Sequence, residues 1–255
     1  MRDGRWREPR SVVVGGAVAF GVALLRARYL RWGATDEEVA LVLPGDELVP
    51  HADLTATRAV TVGAAASGVG PWIAQLGQGR GGFYSYDFLE NVVGCDIHSA
   101  DRIVPEWQSI NVGDEVNFYP EVGLIVARVE AGRALVLRGG MPMAQTPSPY
   151  DFTWAFVLRG KADETTRLLV RERYGYSRRW APLLVEPVEF ISSVMSQRML
   201  RGIKERAERT VPLPPTSGRS ELVATSGRMR LSTQARHRRL NRRAPPCARG
   251  CTGRH

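Results

Sequence analysis

Cysteine is scarce: the 255 residues hold three, Cys95, Cys247 and Cys251, and only Cys95 lies in the body of the chain. So few cysteines in a chain this long exclude a disulfide framework. Histidine is scarce as well, with four. Zinc sites need three or four protein ligands. The step Cys95, Asp96, His98, Asp101 has no second histidine beside it, since His51 sits in a proline-rich turn. Cys247, Cys251 and His255 are equally short of ligands. No metal and no cofactor is therefore expected. The Cys-Asp-x-His step reads as a loop held by Asp and His hydrogen bonds, with a metal ligand or thiol nucleophile as the alternative.

Acidic charge is missing from both ends. Thr210–His255 carries ten Arg against Glu221 alone, and residues 1–31 carry seven Arg against Asp3 and Glu8. The formal charge of +9 thus divides as +5 over 1–31, −5 over 32–209 and +9 over 210–255. An acidic body lacks the basic footprint that phosphate binding needs, so no specific nucleic-acid partner is expected. The basic tail, rich in Arg, Ser, Thr and Pro with little apolar period, reads as disordered. Attraction to acidic lipid or nucleic acid, or a shifted reading frame, are alternatives for it.

The uncharged run Ser11–Leu25 has fifteen residues between Arg10 and Arg26. As a helix it would be about 22 Å long, against roughly 30 Å of bilayer hydrocarbon. Arg26 and Arg28 could snorkel, with Tyr29, Leu30 and Trp32 at the interface. Residues 11–25 are therefore expected to form a short membrane anchor or interfacial helix. That would leave the chain membrane-associated and otherwise cytoplasmic, on an unassigned side. A signal peptide and a helix packed on the domain are the alternatives; the former lacks an Ala-x-Ala-like site after the run. The expected division is an N-terminal apolar helix over 1–31, a folded domain over 32–209 and a tail over 210–255.

Within the domain, alternation of β-branched and aromatic residues predicts strands at Thr55–Val62, Phe83–Phe88, Glu115–Tyr119, Gly123–Val129, Ala134–Leu137, Phe152–Leu158 and Arg167–Tyr176. Ser67–Gln75 predicts a short helix, and Asn91–Pro105 is irregular. Leu184, Val188, Ile191, Met195, Met199 and Ile203 recur at three- and four-residue steps, which predicts a long amphipathic helix with Pro187 at its first position. Antiparallel strands closed by one apolar-faced helix are an α+β design.

That element order resembles the helix-grip fold of the START, or SRPBCC, superfamily. RWGAT at Arg31–Thr35 is similar to one branch of it. So are GQGRGGFYSYDFLEN at Gly77–Asn91, GCDIHSADRIVPEWQ at Gly94–Gln108, YDFTWAFVL at Tyr150–Leu158 and ERYGYSRRWAP at Glu172–Pro182. The resemblance spans about Arg31 to Arg209 and implies a curved antiparallel sheet wrapped around a long C-terminal helix, with an internal cavity. It further implies a hydrophobic small-molecule ligand, lipid or polyketide-like, and supplies no established catalytic residues.

Gly77, Gly79 and Gly82 match GxGxxG, but a dinucleotide site needs the strand before the glycines and the helix after them. Here the predicted order is reversed, so the glycines read as a tight turn. Arg80 in that turn would pair with an acid or hold a carboxylate. In the last strand, Leu168, Val170, Glu172, Tyr174 and Tyr176 share one face. If that face lines the cavity, Glu172 points inward and needs a partner, an Arg or a ligand. Trp72, Tyr84, Tyr86, His98, Trp107, Trp154, Phe190 and Met195 are the further candidate cavity residues; a filled core fits the same aromatics. Binding of a hydrophobic molecule is the leading reading. The alternative is a cyclase- or aromatase-like enzyme in which Glu172 works with Tyr84, Tyr86 or His98.

Overall fold

The computed structural model describes residues 10–119, 122–139 and 148–210; the predicted tail lies outside the described residues. Six antiparallel strands form one sheet in the order β1-β6-β5-β4-β3-β2. They are β1 (Leu54–Val62), β2 (Glu115–Tyr119), β3 (Val122–Glu130), β4 (Ala134–Gly139), β5 (Tyr150–Gly160) and β6 (Thr166–Tyr176). The helices are α1 (Arg10–Leu30), α2 (Asp36–Ala40), α3 (Ala66–Ala74), α4 (Asp87–Val92) and α5 (Ala181–Thr210). Register shifts between β2 and β3 and between β3 and β4 bend the sheet. α3 and α5 lie on its inner face. This is the helix-grip arrangement.

The main core sits between that face and the helices: Trp72, Leu76, Phe156, Leu168, Val170, Leu200 and Ile203 are all buried in it. The outer face is covered too. Leu43 packs there on Ala59, Val157 and Leu169. Arg171, buried on this face, donates to the carbonyls of Glu38, Val39 and Leu41 and to Asp46 at 2.7 Å. One guanidinium thus satisfies the open carbonyl end of α2. Thr35 and Glu38 close the other end in a capping box. RWGAT latches the β1 edge: the Trp32 carbonyl accepts from the Ala59 amide, and Arg201 lies over the Trp32 ring at 5.0 Å.

Three expectations need correction. Phe83–Phe88 is not a strand. Tyr84 adopts a left-handed φ of 57°, its amide donates to Ser99 Oγ, and the chain turns into α4, which the alternation hid. Gly202 of α5 presses on this turn, where a Cβ would run into the Tyr84 carbonyl. α5 begins at Ala181, so Pro187 falls inside the helix and Pro182 takes the first turn. Its apolar stripe is displaced as well: Val188 and Ile191 are exposed, while Val185, Glu189, Ser193 and Ser196 are buried. The helix turns a polar side inward because the sheet opposite offers charged partners.

Among the described residues no helix is long and apolar enough to cross a membrane. The transmembrane reading of residues 11–25 is therefore unsupported; Arg26 and Arg28 end the apolar run early. The far end of α1 docks on the domain instead. Arg26 forks onto Glu186 at 2.9 and 2.6 Å, Tyr29 meets Phe190 edge-on, and Leu30 is buried with Leu54, Ala56, Tyr174 and Val185.

Candidate functional site

A cavity of about 400 Å³ opens between the inner sheet face, α4 and α5. The wall opposite α5 is aromatic. Phe83 stacks on Phe118 at 5.1 Å between ring centres, and Phe118 stacks on Trp154 at 5.4 Å. α5 supplies Val188, Ile191, Met195 and Met199. The predicted stripe of α5 therefore lines the cavity where the helix departs from the sheet. Ser192 and Ser196 are the polar part of this wall.

Behind those two serines lies a buried charge cluster. Arg58, Glu172 and Glu189 are each no more than 1% exposed. Ala56 pairs with Glu172 across β1 and β6, which places Arg58 on the adjoining diagonal of the same face. Arg58 Nη1 donates to Glu172 Oε1 at 2.9 Å, and Nη2 donates to Glu189. Ser196 and Ser192 donate to Glu172 at 3.1 and 3.2 Å. The Tyr174 hydroxyl lies 3.1 Å from Glu189 Oε2 and 3.3 Å from Glu172 Oε2. Burial opposes the ionisation of Glu172, but Arg58 and the donors around the carboxylate outweigh it and hold Glu172 below the usual carboxylate range. One guanidinium cannot balance two carboxylates. Burial first, and then repulsion from Glu172, push Glu189 up to about 9.

Glu90 of α4 also lines the cavity. Its Oε2 is buried and has no hydrogen-bond partner among the described residues. Burial, reinforced by the nearby Asp87, raises its pKa to about 7. Cys95 lines the same space; burial and then Glu90 push its thiol up, away from thiolate character. The Trp154 indole nitrogen is buried without a partner as well.

Of the residues singled out in the sequence, Trp154 and Met195 line this cavity, and Glu172 stands behind its serines. The inward register of Glu172 is what strand parity predicts, and its partner is Arg58. The other candidates lie elsewhere. Trp72 and Tyr84 pack edge-on in the core, with the Tyr84 hydroxyl donating to the Trp72 carbonyl at 3.1 Å. Arg80 donates to the carbonyls of Ala74 and Trp107, tying the end of α3 to the loop, and among the described residues pairs with no acid. Trp107 is half-buried in that loop, and Tyr86 is exposed. The His98 side chain is 81% exposed and reaches Asp96 at 3.2 Å. Phe190 points away from the sheet onto Tyr29. Tyr84, Tyr86 and His98 are thus not among the hydrogen-bond partners of Glu172.

Most of the glycine turn's amides are spent within the fold, that of Gln78 on the Asn117 carbonyl of β2. Gly77 and Gly82 exchange hydrogen bonds with each other, Arg80 donates to Gly77, and Gly81 donates to the Gln75 carbonyl. Such a loop offers no phosphate cradle. Among the described residues no group of three or more His, Cys, Asp or Glu side chains is placed to hold a metal.

Sequence reasoning passed over Arg58, Glu90, Glu189, Ser192, Ser196 and Phe118. Glu90 left a trace, an acid set among Phe88, Leu89, Val92 and Val93. The pairing of Arg58 left none, because its partners are 114 and 131 residues away.

A second hollow, about 370 Å³, lies between α3 and the β3–β4 turn. Its larger polar side chains are engaged: Gln108 Nε2 is bonded to Pro71, Gln75 and Val104, and Arg133 pairs with Glu130.

No family model and no curated protein matches this chain. Solved structures do resemble it. A hypothetical protein from Helicobacter pylori is 14% identical at a TM-score of 0.40, covering 66% of this chain and 96% of its own. Zhui aromatase/cyclase from Streptomyces sp. R1128 is 15% identical at 0.37, over 63% of this chain and 96% of its own. Norcoclaurine synthase from Thalictrum flavum is 12% identical at 0.36, over 60% and 84%. Likenesses this distant do not bear on what the cavity holds.

Proposed function

We propose that this chain binds a hydrophobic small molecule in the cavity beneath α5. The observation that carries the reading is the cavity itself: about 400 Å³, walled by Phe83, Phe118 and Trp154 on one side and by Val188, Ile191, Met195 and Met199 on the other. Ligand sites are typically concave and mostly apolar, with a few placed polar groups. Here those groups are Ser85, Glu90, Cys95, Ser192 and Ser196. The buried charge cluster fits a supporting role. Glu172 is engaged by Arg58 and two serines, which fixes α5 against the sheet and so holds the cavity wall in place.

Native mass spectrometry of the purified chain tests this reading, with a co-purifying small molecule as the expected result. Met195→Trp should narrow the cavity and weaken retention of that mass while leaving a cooperative thermal transition. Retention of the same adduct by this variant at the level of the parent would overturn the reading.

A further inference from the structure

Among the described residues the cavity holds one carboxyl group without a countercharge. Glu90 lines it, with Oε2 buried and unpartnered. A buried carboxylate oxygen without a donor is costly. The protein meets the same problem differently at Glu172, where Arg58 lies 2.9 Å away. Among the described residues no such partner lies around Glu90: the described lining of the cavity includes no Arg, Lys or His. The groups that α5 turns toward it are Val188, Ile191, Ser192, Met195, Ser196 and Met199, all uncharged. The sheet contributes Phe118 and Trp154. Asp87 on the same helix is acidic, and both its oxygens are taken by Ser99. Cys95 is a thiol. Every neighbour therefore leaves the carboxylate unneutralised, and the three stacked rings present π-systems to the same space.

We infer that Glu90 is the recognition residue for a cationic group on the ligand, so that the cavity takes an apolar or aromatic amine. This rests on the reading of the cavity as a small-molecule site. An ammonium would give the orphan oxygen a charged donor, the strongest hydrogen-bond type available to it. The ring wall adds cation–π attraction. A carboxylic acid would meet an unneutralised like charge, and a neutral alcohol would gain only the weaker hydrogen bond. The carboxyl titrates near pH 7 in the empty site, so an ammonium selects its ionised form.

The test uses the full chain and three probes of one shape: naphthylethylamine, naphthylethanol and naphthylacetate, titrated by calorimetry. At about pH 8 the amine should bind about tenfold or more tighter than the alcohol, and the acid more weakly than either. Lowering the pH to about 5.5 should erase the amine's advantage as Glu90 takes up its proton, with the alcohol unchanged. Glu90→Gln should bring the amine down to the alcohol's affinity at both pH values and leave the alcohol nearly as it was, without lowering the melting temperature. An amine that binds no tighter than the alcohol, or that keeps its advantage in Glu90→Gln, overturns the assignment of Glu90 while the cavity reading stands. Failure of all three probes to bind would overturn both.

Discussion

Two carboxylates share one guanidinium in the core, and the consequences differ for each partner. Glu172→Gln removes the charge that Arg58 holds most directly, but Glu189 is close enough to ionise in its place. A loss of about 1–3 kcal/mol is expected by denaturant titration. Arg58→Met has no such substitute and leaves both acids without a countercharge; about 3–5 kcal/mol should be lost. If the two variants were equally destabilised, the sharing would be disproved. Glu189 also sets a pH dependence. Its pKa is about 9 in the folded chain, well above the ordinary glutamate value of 4.5. Between those values the unfolded chain has lost the proton and the folded chain retains it, so this group's contribution falls as pH rises through the window. Glu189→Gln should flatten the decline in melting temperature between about pH 5 and pH 8.5. A slope identical to that of the parent would show that Glu189 titrates normally.

At the scale of elements, α5 organises both the core and the cavity. Its second half, from Met199 to Ala207, follows the apolar period onto the sheet. Its first half carries Glu189, Ser192 and Ser196 inward to the Arg58 cluster, which rotates Val188 and Ile191 toward the cavity and its mouth. Gly202 marks the close approach to the Tyr84 turn. Alanine is normally the better helix former by about 1 kcal/mol. Here its methyl would strike a backbone carbonyl, and overpacking of this kind costs about 1–3 kcal/mol. Gly202→Ala should therefore lower stability in urea titration; a gain would mean that the turn yields freely. The strand alternation in Phe83–Phe88 misleads for a related reason. Its aromatics serve a turn and a cavity wall instead of a paired strand, and alternation alone does not distinguish these.

For the whole molecule, the domain boundary predicted at Trp32 crosses a packed contact. Leu30 is buried against Leu54, Tyr174 and Val185, and Arg26 pairs with Glu186. A chain beginning at Trp32 should still fold, because the sheet and α5 are complete without α1. One beginning at Arg26 should be more stable by about 1–3 kcal/mol, the amount expected for burying one leucine-sized side chain. Equal melting temperatures for the two would show that α1 is a passive extension. Upstream of Arg26 the side chains of Phe20, Val22, Leu24 and Leu25 are exposed, so their removal should leave the transition where it is.

Local periodicity by itself determined the α+β class, β1 before α3 and five strands of the sheet after it, and a long terminal helix. Strand parity also fixed the inward face of Glu172, since a two-residue period belongs to the backbone and needs no knowledge of the rest of the chain. Only the tertiary structure decided what meets across that face. Arg58 and Glu172 become neighbours through the antiparallel pairing of β1 with β6, and Glu189 joins them through the docking of α5. The same docking turned a predicted apolar stripe into a cavity wall. It also left one buried oxygen of Glu90 without a partner among the described residues, a property that depends on what surrounds the carboxylate in space and has no counterpart in the order of residues.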